Sequence, residues 1–93
     1  MRAKKVDVNQ FFIVATLRKM GMSVQSLASV GNGCPDLLVG YQGVNYLMEV
    51  KDGDKPPSAQ KLTIDQTHWH SAWKGVVHVV TSPEDAMVVM GII

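Results

Sequence analysis

Apolar and polar positions alternate along the chain in a way that divides it into a small number of elements. Phe11, Val14, Ala15, Leu17 and Arg18 fall on helical spacing and Gly21 follows as a stop, predicting a first helix over Asp7–Met20. Ser23–Leu27 alternates imperfectly, with Val24 and Leu27 as its apolar positions, and reads as a strand. Gly31-Asn32-Gly33-Cys34-Pro35 is a loop by composition. Asp36–Tyr41 and Val44–Lys51 are β-rich runs joined by Gln42-Gly43, and a two-residue connection ending in Gly predicts a hairpin. Asp52–Lys61 carries two Asp, two Pro, Gly and Ser and reads as a loop. Thr63 and Gln66 have capping-box spacing, which opens a helix over Ile64–Trp73 that closes near Gly75. Val76–Val80 follows as a short buried strand. Ser82-Pro83-Glu84-Asp85 then starts a last helix, with Pro at its first position and acids at the positive end of its dipole. The predicted order is αβββαβα, a mixed-sheet α/β domain.

The 93 residues suffice for one domain, 46% of them hydrophobic, enough for a core but a small one, so self-association is expected. A net charge of +1 excludes a strongly basic nucleic-acid tail and an acidic disordered segment. The longest apolar stretches, such as Phe11–Ala15, fall far short of the roughly 20 residues of a membrane helix. Basic residues lead the chain without an apolar region or cleavage site behind them, so no signal peptide is expected. The single Cys34 can form no internal disulfide, and a cytoplasmic setting is the simpler expectation.

The hairpin determines where chemistry can occur. With Tyr41 facing Val44 across a two-residue turn, Asp36 falls opposite Glu49, their Cβ atoms about 5 Å apart on one face. Lys51 shares that face, while Met48 and Val50 point the other way into a core. Two carboxylates so placed repel, and one takes up a proton unless a cation compensates. Lys51 compensates in part; Mg²⁺, commonly held by one or two carboxylates with waters and phosphate oxygens, does so fully. Two acids, a metal and an ammonium can orient water and stabilise charge on a phosphodiester under attack. The competing reading of the same spacing is a surface ion pair on an exposed sheet.

The words around these residues bear on that choice. Pro35-Asp36 followed by Glu49-Val50-Lys51 resembles the PD-(D/E)XK nuclease signature, and the predicted αβββαβ order is similar to that superfamily's restriction-endonuclease-like core. Asp36-Leu-Leu-Val-Gly40, Glu49-Val-Lys-Asp-Gly53, Lys55-Pro-Pro-Ser58 and Leu62-Thr63 together resemble the phage and prophage members of the virus-type replication-repair nuclease (VRR-NUC) group, over roughly Asp7 to Ala86. The resemblance implies a Mg²⁺-dependent DNA endonuclease, with Mn²⁺ able to substitute. Asp36, Glu49 and the Val50 carbonyl would be metal ligands, Lys51 the catalytic lysine, and Gln66 a glutamine beside the active site. Gln66 also has the capping-box role, and the two roles compete for one side chain. Relatives often carry a glutamate in the first helix where this chain has Phe12, which makes one metal the expectation. Asp7, Asn9 and Gln10 are the polar candidates nearby, and helix capping by Asp7 or Asn9 is the competing, favoured reading.

Other residues have plainer readings beside functional ones. Cys34 reads as a loop or core residue. His68 and His70, two apart on a helix, face different directions, so a shared metal is not expected, though one could contact phosphate. Trp69 and Trp73, four apart, form a core stripe, a dimer interface or a stacking surface for bases. Met87, Met90, Ile92 and Ile93 read as core or interface. The Gly31–Gly33 segment is a plain turn or a close approach of backbone to phosphate. Lys55, Ser58, Gln60 and Lys61 are expected to contact DNA from a mobile loop that Pro56-Pro57 keeps extended. Arg2, Lys4 and Lys5 form either a solvated arm or a grip on phosphates. The overall expectation is a homodimeric endonuclease resembling Holliday-junction resolvases, acting on branched DNA. Its rivals are a nickase or flap nuclease without junction preference, and a DNA-binding module that has lost cleavage.

Overall fold

The computed structural model describes residues 8–93. The start of the predicted first helix at Asp7 and the basic arm Arg2, Lys4 and Lys5 lie outside the described residues. In chain order the elements are α1 (Val8–Lys19), β1 (Ser23–Ser26), β2 (Leu37–Tyr41), β3 (Val44–Val50), α2 (Pro57–Gln60), α3 (Ile64–Ala72), β4 (Val77–Val80) and α4 (Pro83–Val89). The four strands form one sheet in the order β1-β2-β3-β4, antiparallel except for the parallel β3–β4 pair. This is the mixed α+β architecture the sequence predicts.

The β2–β3 hairpin has the predicted register, with Tyr41 opposite Val44 and Leu37 opposite Met48. Its turn residues Gln42 and Gly43 both have positive φ, 49° and 79°. Such a turn matches the twist of the strands it joins. Alternation then sends Leu37, Val39, Met48 and Val50 to one face, where they pack with Val80 of β4, Ile13 and Leu17 of α1, Ala86 of α4 and Met90 just after it. Asp36 and Glu49 belong to the opposite face.

Helix α1 differs from the sequence reading in its phase. Ile13 and Leu17 are buried with Gln10, whereas Phe11 and Phe12 are 67% and 60% exposed. The helix closes as expected: Gly21 has φ 95°, its N–H donates to the Arg18 carbonyl, and the Met22 N–H donates to the Leu17 carbonyl. The Asp52–Lys61 segment is not wholly irregular, because Pro57 opens the single helical turn α2; of the two prolines Pro56, at φ −57° and ψ 154°, is the extended one.

Helix α4 is held at its start by side chains the sequence identifies. Ser82 Oγ accepts from the Asp85 N–H at 3.0 Å, and Asp85 Oδ2 accepts from the Thr81 hydroxyl at 2.6 Å and the Thr81 N–H at 2.8 Å. The Thr81 hydroxyl and then its amide hold the Asp85 carboxyl below its ordinary value of 3.8. Because the folded-state pKa is lowered, this contribution is fully present above the unfolded value and lost as pH falls through the folded one. Asp85→Asn is therefore expected to cost about 1 kcal/mol at neutral pH, and the difference from wild type in urea unfolding should shrink below pH 3.8.

Candidate active site

The end of the hairpin carries the acids. Asp36 immediately precedes β2 and is 2% exposed; Glu49, next to last in β3, is 1% exposed. Asp36 Oδ2 accepts from the Val50 N–H at 2.8 Å, which fixes this carboxylate against the strand that bears Glu49. The surface ion-pair reading fails here, since both acids are buried.

Helix α3 covers this corner. Its Thr63 cap and Gln66 form the predicted capping box, with Thr63 Oγ1 accepting from the Gln66 N–H and Gln66 Oε1 accepting from the Thr63 N–H at 2.9 Å. The same Oε1 accepts from Lys51 Nζ at 2.8 Å, and Gln66 Nε2 donates to Glu49 Oε2 at 3.2 Å. The capping and site roles therefore do not compete. A carboxamide oxygen has two lone pairs, one for each donor, and the amide nitrogen remains for Glu49. The reverse amide orientation would set NH₂ against two donors, so the network fixes it. Lys51 Nζ also lies 4.0 Å from Glu49 Oε2, with its side chain 12% exposed.

Gly33 makes this placement possible. Its φ is 84°, and a Cβ there would stand 2.2 Å from the Asp65 carbonyl oxygen and 2.8 Å from the Gln66 nitrogen. The loop before Asp36 therefore lies directly on the first turn of α3, a close approach of backbone to backbone. Loop and helix together line a cavity of about 280 Å³ that includes Asn32, Cys34, Thr63 and Gln66.

Asn9 is not a cap. It lies inside α1, and its amide donates to the carbonyl of Lys51 at 2.8 Å and that of Thr81 at 3.1 Å, tying the helix to the strand end that carries Lys51. Phe12 is largely exposed. Trp69 and Trp73 stack at 4.7 Å, with Trp73 48% exposed, so the pair lies on the surface of α3 and not in the core. Met90 is buried with the core, while Met87 and Ile92 are half-buried and Ile93 is exposed. Lys55, Ser58 and Lys61 are exposed; Gln60 instead turns its amide onto the Gly53 and Lys55 carbonyls, at 3.3 and 2.7 Å.

His70 was offered by the sequence only as a contact to phosphate, and its place beside Glu49 was missed. Its Nε2 lies 3.9 Å from Glu49 Oε1, with the side chain 14% exposed. Burial, and then the charge of Lys51, hold its pKa below the ordinary 6.5. Its signal was present: His70 is four residues after Gln66 and so shares its helix face.

Among the described residues no three His, Cys, Asp or Glu side chains converge as a metal cluster. Two buried carboxyl groups nevertheless lie beside the Lys51 amine, and buried groups of this kind are paired or bind metal. An oxygen donor set of this kind suits a hard divalent cation completed by water. The residues therefore fit such an ion.

The signature read in the sequence thus lies on a fold of the kind it implies, that of a PD-(D/E)XK nuclease. A solved structure described as a VRR_NUC domain matches this chain with a TM-score of 0.60 and 28% identity, covering 86% of this chain and 89% of that one. The likeness spans nearly the whole domain on both sides and bears out the VRR-NUC resemblance, which supports a nuclease of the PD-(D/E)XK type. Neither a family sequence model nor any curated protein sequence matches it. Among the described residues, no helix is long and apolar enough to cross a membrane.

Proposed function

We propose that the domain is a Mg²⁺-dependent DNA endonuclease that cuts branched DNA as a two-fold dimer, in recombination or repair in a phage or its bacterial host. The observation that carries the reading is the buried Asp36–Glu49 pair joined to Lys51 through Gln66. Asp36, Glu49 and the Val50 carbonyl would hold the ion, which supplies charge neutralisation and an acidified water when bound. The chain's own groups do the rest. The Val50 amide and Gln66 Nε2 fix the two carboxylates before substrate arrives. Gln66 Oε1 aims the Lys51 ammonium, which orients the attacking water and faces the charge that develops on the phosphate oxygens.

Lys55, Ser58 and Lys61 would contact DNA phosphates, with Gln60 bracing the loop from within. The Lys55→Ala/Lys61→Ala double variant should weaken binding to all sequences alike and lower the salt slope by about 2. An unchanged slope would place the DNA elsewhere. The Trp69–Trp73 pair, with Val76 and Val79 exposed nearby in sequence, is a better candidate for the dimer interface than the mostly packed tail. A closed dimer would supply the two symmetric cuts that junction resolution needs.

The deciding experiment compares four-way, nicked, flapped and linear DNA with Mg²⁺, against an Asp36→Asn control, together with sedimentation. Paired cuts in the junction by a species of twice the 10.2 kDa chain mass are expected. Equal cutting of all substrates by a monomer would leave a general nuclease, and binding without cutting would leave a DNA-binding module.

A further inference from the structure

We propose that His70 is a positioning residue for Glu49, its Nε2–H holding Oε1 of the carboxylate whose Oε2 is held by Gln66. The inference rests on the metal-dependent reading of the site and adds a residue to it. Glu49 is almost wholly buried, so its orientation is decided by neighbouring side chains and not by bulk water. Gln66 Nε2 donates to Oε2 at 3.2 Å. One turn further along α3, on the same face, His70 Nε2 is buried, has no hydrogen-bond partner, and lies 3.9 Å from Oε1. A buried ring nitrogen of this kind needs a partner. The Lys51 ammonium, whose charge also acts on the ring, has donors only, whereas Glu49 Oε1, 3.9 Å away, is an acceptor. At 3.9 Å the contact is closed by one bridging water or by a small rotation of either side chain.

Two donors from successive turns of one helix would grip the carboxylate at both oxygens and fix the direction in which its remaining lone pairs point. Groups that hydrogen-bond a metal-ligating carboxylate are general determinants of metal affinity. The other histidines are placed differently. His68 is exposed, and His78 lies on β4 against Tyr46, with ring centroids 6.2 Å apart.

The test titrates MnCl₂ into metal-free wild type, His70→Leu and His70→Gln by calorimetry, with thermal unfolding of each metal-free protein alongside. His70→Leu keeps the bulk and removes the donor; His70→Gln returns an N–H near the lost Nε2. The expected result is a Kd for Mn²⁺ about 10-fold weaker in His70→Leu and within about 3-fold of wild type in His70→Gln, whatever the order of their melting temperatures. Wild-type affinity in His70→Leu would overturn the proposal, as would equal losses in both variants. A wild type that binds no Mn²⁺ would overturn the metal-dependent reading and this proposal with it, an outcome distinct from the other two because the unaltered protein fails.

Discussion

Asp36→Asn, Glu49→Gln and Lys51→Ala should each lower DNA cleavage by roughly a thousandfold or more. The two acid variants should do so without loss of folding. Both acids are buried on one face beside a single ammonium, so in the metal-free protein each carboxylate raises the cost of the other. Asn at 36 still offers an oxygen to the Val50 N–H, and Gln at 49 still offers one to Gln66. Metal-free melting temperatures at or above wild type are expected for these two. Lys51→Ala differs, because it leaves two buried carboxylates without their cation and should lower stability at neutral pH. Rate and stability should therefore separate. If one acid variant cut DNA at near the wild-type rate, that residue would have no part in the chemistry; if one unfolded, its role would be structural.

Gly33→Ala should be the most damaging small substitution away from the acids. The backbone there has φ 84°, and the new methyl would overlap the Asp65–Gln66 peptide at 2.2–2.8 Å. A left-handed conformation costs a non-glycine residue about 1–3 kcal/mol. Relief of the overlap must come from moving the loop or the first turn of α3, because the obstacle is backbone and cannot rotate aside. The expected loss exceeds about 2 kcal/mol, or roughly 10 °C in melting temperature for a domain of this size. Cleavage should fall further than the folded fraction, since Gln66 moves away from Lys51 and Glu49. Gly43→Ala is the control: φ is 79° with no atom within 4 Å, so it carries the backbone strain without the collision. Equal effects of the two substitutions, measured by thermal unfolding and cleavage, would mean that the contact with α3 does not matter.

Features governed by neighbouring residues were legible in the amino-acid order alone. Gln42-Gly43 between two alternating runs determined the hairpin and, with it, the register that brings Asp36 and Glu49 to one face. Thr63 with Gln66, and Ser82 with Pro83 and Asp85, determined where α3 and α4 begin. Each of these depends on bonds between residues a few positions apart, which composition and spacing encode directly. Tertiary structure decided the rest. Phe11, Phe12, Ile13 and Val14 are all apolar, so periodicity could not say which side of α1 faces the sheet; packing against β2, β3 and α4 chose Ile13 and Leu17 and left Phe11 and Phe12 outside. Asn9 acquires its role from the carbonyls of Lys51 and Thr81, 42 and 72 residues away. Gln66 looked like a choice between cap and site because sequence cannot show that Lys51 and Thr63 approach one oxygen from two sides. His70 became a candidate for holding Glu49 only when α3 docked on the Gly33 loop and set its Nε2 3.9 Å from Glu49 Oε1. These contacts join residues far apart in the chain, and their geometry exists only once the sheet, the loop and α3 have closed around the same corner.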